Sequence, residues 1–492
     1  MKSFSKSRLV SMLQCPRRFW LEVFRPDLKH DSQQTELKFR TGNQVGDLAR
    51  NIFDPKGIGH LIDIKKEGYE QAFFRSQQLL RGADPIFEAG LTGGGVFAFA
   101  DVMLPGHRAA SWNMIEVKSS TSVKDYHRDD IAIQTYAARS SGVEIESVSL
   151  AHIDSSWTYP GNKDYSGLLK VNDLTKDALS RHDEVAEWVK QAQSIAKSNA
   201  EPTTCMGNQC TSPFECGFIS HCSQGSESIE FPLKWLPHLS AKKITELEAA
   251  GIYDLREAPD SKLTELQLRV KNASLSGEPY FDVQGAIKDL SNHPRPCLFL
   301  DFESVQFGVP IWAGTRPYQQ ICFQFSLHRL GADDILEHTE FLDLSGIDPS
   351  EAFAKSLIEA CGDGQESIFV FNATFEKTRI TELAGKFPAL KANLQSINNR
   401  IVDLMPIAKN RFYHPSQEGS WSIKKVLPAL VPELNYSDLD GVQDGNMAIA
   451  AYLEAIAPET ASDRKMEIEQ QLRKYCELDT YSMVRIWQAF AK

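Results

Sequence analysis

The chain has 492 residues, 42% hydrophobic and 24% charged, with a formal net charge of −12 at pH 7. At roughly 100–200 residues per domain, that length predicts about two to four domains, and the ordinary balance excludes wholesale disorder and fibrous classes. The acidic total excludes a passive nucleic-acid coat but leaves room for an enzyme that gathers carboxylates around metal ions.

Residues 1–30 run against the average. Seven basic residues (Lys2, Lys6, Arg8, Arg17, Arg18, Arg25, Lys29) face two acids (Glu22, Asp27), a local charge of +5. Residues 1–14 are polar and basic with no apolar h-region, so no secretory signal is expected. No apolar run approaches the ~18 residues of a membrane span, so no membrane partner is expected either. A cytoplasmic location follows, where the nine cysteines are not expected to form a disulfide framework.

Cys15 follows a short helix-like run, and residues 36–53 have helical apolar spacing with Gly42 and Gly46 four apart. Residues 85–92, 96–104 and 111–120 read as three strands separated by glycines and a Pro-Gly turn. A helix is predicted over 128–139 and another strand over 147–154. Side chains two apart on a strand point the same way, so Glu116 and Lys118 share a face to which a neighbouring strand can bring Asp101. Two carboxylates suit a hard divalent cation such as Mg²⁺ or Mn²⁺, and a lysine beside them suits phosphate chemistry. Taken alone, an Asp…Glu-x-Lys pattern is more often a solvated strand face. Next come Cys205, Cys210, Cys216 and Cys222, with Pro213 and Gly217 among them. Cysteines this close in a cytosolic chain usually bind metal; a zinc ion and an iron–sulfur cluster both fit the spacing.

The segment Cys15-Pro16-Arg17-Arg18-Phe19-Trp20 resembles the N-terminal cysteine motif of the iron–sulfur RecB-like nucleases, the CRISPR-associated exonucleases among them. The α-β-β-β-α-β order of the elements is similar to their PD-(D/E)XK core. The resemblance implies a restriction-endonuclease-like domain over residues 1–224, with a [4Fe–4S] cluster on Cys15, Cys210, Cys216 and Cys222 and with Cys205 surplus. It implies Asp101 and Glu116 as metal ligands, Lys118 as catalytic lysine and Glu88 as a further acidic position. Gln134 and Tyr136 stand for the family's Gln/Tyr motif, here more closely spaced, and His60 is the candidate for the histidine that many relatives carry before the first strand.

Residues 225–292 carry no metal signature. The stretch 236–259 resembles a helix-hairpin-helix element with Gly251 ending one helix; a plain spacer is the competing reading. From residue 293 the pattern changes. An apolar strand over 297–304 ends in Asp301-Phe302-Glu303, strands follow at 319–330 and 335–344, and 367–380 reads as a strand running into a helix. Tyr475 and Asp479, four apart on a long amphipathic helix, share one face. His414, Trp421, Lys424 and Lys425 are candidate nucleic-acid contacts, set against a helix capped by Ser420 that simply packs on the core.

This second half resembles the DnaQ-like DEDD exonucleases of ribonuclease H-like fold. Asp301 and Glu303 match the first motif, Asn372…Phe375-Glu376 the second, with Glu where the family has Asp, and Tyr475…Asp479 the third. The resemblance implies an α/β fold over 293–492, metal ligation by Asp301, Glu303, Glu376 and Asp479, and a water-orienting Tyr475. Together the two halves resemble a bacterial family that joins the two nucleases. The expectation is a metal-dependent nuclease acting on DNA, single-stranded or at duplex ends, in repair, processing or antiviral defence. The alternatives are a nucleic-acid-binding scaffold with an inert site and an exonuclease that processes RNA.

Overall fold

Alternating side chains and glycine-rich turns make residues 86–118 into three adjacent antiparallel strands, Ile86–Gly93, Val96–Pro105 and Ser111–Lys118. A computed structural model describes residues 3–31, 33–198, 200–224 and 229–492. Lys2 and the 224/225 boundary lie outside the described residues. The chain forms two α/β units, Met1–Ser226 with Phe307–Gln319, and Glu227–Gln306 with Gln320–Lys492.

In the first unit the sheet runs His60–Leu61, Ile86–Gly93, Val96–Pro105, Ser111–Lys118, Glu144–Ile153, Leu169–Asp173, and Phe4–Ser5 adds to the Val96 strand. Pairing is mixed. Ser111–Lys118 runs antiparallel to the strand bearing Asp101 and parallel to Glu144–Ile153, and the latter connection is made by the helix Asp125–Ser140. That helix buries Ile131, Ala132, Ile133, Ala137 and Ala138 against Val148, Leu150 and Trp112. Two helices, Lys6–Gln14 and Pro16–Phe24, meet at Cys15; Pro16 is tolerated there because the first helical position needs no amide hydrogen bond.

The segment Phe307–Gln319 also belongs to this unit, although it follows directly on the Asp301-x-Glu303 strand. It is tied by main-chain bonds, Tyr159 N to Thr315 O (2.9 Å) and Gly314 N to Tyr159 O (2.8 Å). The Tyr318 hydroxyl donates to Ser119 O, and Tyr318 and Val309 pack with Val45, Ile153 and Leu168.

In the second unit the sheet order is Leu336–Leu342, Ile321–Leu330, Cys297–Val305, Ile368–Val370, Ile401–Asp403. The first two pairings are antiparallel and the last two parallel. Helix Ser350–Cys361 packs its Phe353 edge-on against Phe302, Phe325 and Phe341, at centroid distances of 5.0, 5.5 and 5.8 Å. The helix Ser462–Phe490 buries Leu472, Cys476, Met483 and Trp487. Residues 229–292 join this unit around a small core of Leu233, Leu236, Leu247, Leu255 and Ala258. Helix Ala241–Ala249 is followed by Gly251 at φ +77°, a left-handed position that only glycine adopts without strain.

Phe353→Ala should destabilise the second unit by about 3–5 kcal/mol, because it removes a fully buried ring and leaves a cavity among three others. Denaturant unfolding followed by near-UV circular dichroism measures this, and Leu336→Ala, at a partly exposed position on the sheet's outer strand, should cost far less.

Candidate active sites

At the end of its strand, Glu116 is 2% exposed and surrounded by donors. Lys118 Nζ donates to Glu116 Oε1 and to Asp130 Oδ2, both at 2.5 Å. Lys6 Nζ lies 2.8 Å from the same Glu116 oxygen and 3.2 Å from Asp130 Oδ1. The Gln134 side-chain amide donates to Glu116 Oε2 at 2.5 Å. Burial pushes the Glu116 carboxyl upward, but Lys118, Lys6 and the Gln134 amide outweigh it and hold the group far below the usual range. Asp101 accepts the Val117 N–H at 2.6 Å, and its carboxyl is driven well up by burial and by the charge of Glu116. Glu88 is likewise raised by burial and by Glu116, and stands at φ +57°, an uncommon conformation for a residue with a Cβ.

Asp101, Glu116, Lys118, Gln134 and Glu88 are thus electrostatic neighbours. Tyr136 is not with them. Two residues along a helix turn the side chain by about 200°, and the Tyr136 hydroxyl instead meets Gly94 O at 3.3 Å while its ring contacts His182. His60 lies 3.4 Å from Asp84. Two participants were absent from the sequence reading. Asp130 had a usable signal, since it precedes Gln134 by four on the same helix; Lys6 had none beyond its place in a basic segment. The donors at this site are carboxylate oxygens, the ligand type hard cations take, and a cation bound here would compete with the Lys6 and Lys118 ammoniums.

In the second unit, Asp301, Glu303 and Asp479 each direct an oxygen into one spot, the three atoms within 4.8 Å of one another. The first two share a face of Cys297–Val305 and the third comes from the helix Ser462–Phe490. Burial, and then Asp479 and Glu303, push Asp301 far up; burial and Asp479 do the same to Glu303. Asp479 is raised to about 6 by burial, opposed by the Tyr436 hydroxyl, which donates at 2.6 Å, and by Lys424 and the Tyr475 hydroxyl. Lys424 Nζ sits 5.1 and 5.0 Å from the ring centroids of Tyr436 and Tyr475. Among the described residues no ion pair reaches the three carboxylates, so a divalent cation fits what this oxygen set lacks. Tyr436 was missed because nothing in its local sequence marks a partner 43 residues away.

Glu376 lies in the first turn of Thr374–Lys386 and outside the trio. Its Oε2 is buried without a hydrogen-bond partner, and its carboxyl is raised to about 8, chiefly by burial. Asp403 accepts the Asn372 and Ala373 N–H groups, both at 3.0 Å, which orients the start of that helix. A cleft of about 600 Å³ runs past Asp301 and Asp479, walled by Phe371, Met405, Trp421 and Lys409. Trp421 is buried and donates to Phe412 O at 2.8 Å. The following helix starts at Ile423 with Ser422 at its cap, not Ser420, whose hydroxyl instead accepts the Ser422 N–H. Lys425 pairs with Glu418, and His414 bonds Ser416.

Cys15, Cys205, Cys210, Cys216 and Cys222 all line one small cavity in the first unit. Cys205 is exposed and the other four are partly or wholly buried. The chain is drawn together there: Gln14 donates to Gln209 O (2.6 Å) and Phe214 O (2.7 Å), Trp20 to Ser198 O (3.1 Å), and Cys216 N to Cys210 O (2.9 Å). Burial raises the Cys216 and Cys222 thiols, a state that metal ligation would reverse by taking the thiolate. Five thiols thus line one cavity, though no three of their sulfurs lie within 4.8 Å of one another.

Residues 298–422 match a family model described as a domain of unknown function, DUF2779. The match spans Asp301, Glu303, Asn372 and Glu376, and stops before Tyr475 and Asp479. The chain is also similar to the uncharacterized protein MG366 of Mycoplasma genitalium, 25% identical over 211 residues, and to its Mycoplasma pneumoniae homologue, 27% over 216 residues. Each alignment covers 38% of this chain, and the chain spans about a third (31%) of the length of each relative.

With Asp479 at about 6 and Glu376 at about 8, the metal-free native state holds protons that an unfolded chain releases near pH ~4. The folded form binds more protons in that window, so stability falls as pH rises through it. The metal-free denaturation midpoint should therefore be higher near pH 5.5 than near pH 8, and Glu376→Gln, which removes the larger shift, should shrink the difference more than Asp479→Asn.

Proposed function

We propose that this protein is a metal-dependent nuclease with two hydrolytic sites, a PD-(D/E)XK site at Asp101/Glu116/Lys118 and a DEDD-type 3′–5′ exonuclease site at Asp301/Glu303/Asp479. The reading rests above all on the second constellation: three buried or half-buried carboxylates from two elements far apart in sequence converge without an ion-pair partner among the described residues, Lys424 being their one nearby cationic influence. Structural ion networks rarely leave such charge unpaired, whereas phosphoryl-transfer sites require it for divalent metal. The helical and strand order of each unit, and the cleft beside Asp301, support the same assignment.

Asp301, Glu303 and Asp479 would hold a divalent metal, which when bound would supply an activated water and charge stabilisation for the leaving oxygen. The chain's own groups do the rest. Tyr475 and Tyr436 bracket Asp479 and fix its orientation, and Tyr475 is placed to align the attacking water. Lys424, above both rings, offsets negative charge near the scissile phosphate. Trp421 and Phe371 offer apolar walls for a terminal base. In the first unit Gln134 orients Glu116, and Lys118 is positioned to meet charge developing on phosphate. Cys15, Cys210, Cys216 and Cys222 would hold the [4Fe–4S] cluster, with exposed Cys205 outside the set. DNA is the proposed substrate. Glu376, longer by one methylene than the aspartate of that motif and with a buried oxygen that has no hydrogen-bond partner, favours as a second reading a DEDD pocket that binds without cleaving.

End-labelled single- and double-stranded DNA and RNA, with Mg²⁺ or Mn²⁺, test both sites. Lys118→Ala should lower one activity at least ~10²-fold and leave stepwise 3′–5′ trimming; Asp301→Ala should do the converse. Undiminished cleavage in both would remove these residues from the mechanism. Trimming that appears only in Glu376→Asp would establish the binding-only reading.

Anaerobically purified protein should be brown and contain iron. Cys222→Ser should lose the colour and Cys205→Ser should keep it. Stoichiometric zinc without iron would overturn the cluster assignment.

A further inference from the structure

A second group of metal-ligating side chains lies in the same unit but away from the carboxylate trio. In the antiparallel ladder His328 of Ile321–Leu330 stands directly opposite His338 of Leu336–Leu342. Their rings are 4.6 Å apart between centroids. Glu477, on the helix Ser462–Phe490, completes a group whose three ligand atoms lie within 4.8 Å of one another.

We propose that His328, His338 and Glu477 bind a divalent transition-metal ion of the zinc class, at a site separate from the proposed nuclease centres. The donor set is the first reason. Two imidazole nitrogens and one carboxylate oxygen match zinc, nickel or copper rather than magnesium, which takes oxygen. The surroundings are the second. Thr480 Oγ1 lies 2.8 Å from His328 Nδ1, Ser326 Oγ lies 2.9 Å from His338 Nε2, and the two buried hydroxyls are 2.6 Å apart. One nitrogen of each ring thereby meets a hydroxyl, which orients the ring as outer hydrogen bonds orient metal-binding histidines. Bonds of about 2 Å place ligands ~3.3 Å apart around a tetrahedral ion. Glu477 is a solvent-exposed side chain able to swing toward the two oriented rings, with His328 as the buried anchor. Three protein ligands leave a fourth position for water.

The position on the helix gives the ion a consequence. Glu477 is two residues from Tyr475 and two from Asp479, about 200° around the helix from each. The helix thus presents Tyr475 and Asp479 to the carboxylate trio and Glu477 with Thr480 to the histidine pair. An ion bound here clamps the Asp479 helix to the two outer strands from behind.

The test is equilibrium dialysis of the full-length protein against zinc, followed by metal analysis. Because zinc retained by the cysteines or by the carboxylate trio would add to the total, the readout is the difference between variants. Wild type and Asp301→Asn should retain one zinc per chain more than His338→Ala, and Glu477→Gln should bind that ion at least ~10-fold more weakly. Cobalt(II) at this site should show visible absorption without thiolate charge transfer, lost in His338→Ala. Zinc should also raise the thermal midpoint of wild type and not that of His338→Ala. Equal zinc retention by wild type, His338→Ala and Glu477→Gln would overturn the proposal. Were His338→Ala to misfold, the Glu477→Gln comparison alone decides, since that exposed substitution removes only charge.

Discussion

Like charge gathered in a dry place is the constraint on which the second unit is built. Burial raises Asp301, Glu303 and Asp479 alike, and on top of it the charge of Asp479 raises both Asp301 and Glu303 while Glu303 raises Asp301. Nothing beside them forms an ion pair among the described residues. What steadies them is weaker and directional: a hydroxyl from Tyr436, another from Tyr475, and the charge of Lys424 stationed over both rings. A site of this kind needs protons or a cation to be comfortable, so its occupancy and its protonation are two sides of one equilibrium.

The first unit resolves the same problem the opposite way. Glu116 is just as buried, yet two ammoniums and an amide close on it and keep it ionised. Asp130 shares both lysines, so the pocket is nearly neutral as it stands. The N-terminal helix that delivers Lys6 ends at Cys15, and its Gln14 grips the main chain of the cysteine loop. Tyr126, at the start of the Gln134 helix, stacks edge-on against Phe214 of that loop, 4.8 Å between centroids. One short helix therefore braces the Glu116 carboxylate at one end and the cysteine cavity at the other. On the far side, Tyr318 fixes Ser119 O, next to Lys118. The catalytic lysine proposed here is thus set by elements drawn from three distant parts of the chain.

Features carried by a single element were legible in the residues themselves. The strands at 86–118 and 297–305, the Glu116/Lys118 and Asp301/Glu303 pairs, and the Tyr475/Asp479 pair follow from periods of two and 3.6. The cysteine spacing likewise marked one loop as special. Periodicity says which residues share a face and not which faces meet. Hence Lys6, 110 residues from Glu116, and Tyr436, 43 from Asp479, left no trace in the local pattern. Tyr136, grouped with Gln134 by proximity in sequence, turns away because two steps along a helix nearly reverse a side chain. Glu376 acts on Asp301 through space, and helix Thr374–Lys386, which carries it, is held at its entry by the Asp403 carboxylate, a contact between separate elements that no local pattern records. Residues 307–319 joined the first unit because Tyr159, Tyr165 and Ser119 offer them partners there. Burial and charge pairing act through space, so the partners of each carboxylate, and with them its protonation, were decided only when the chain had folded.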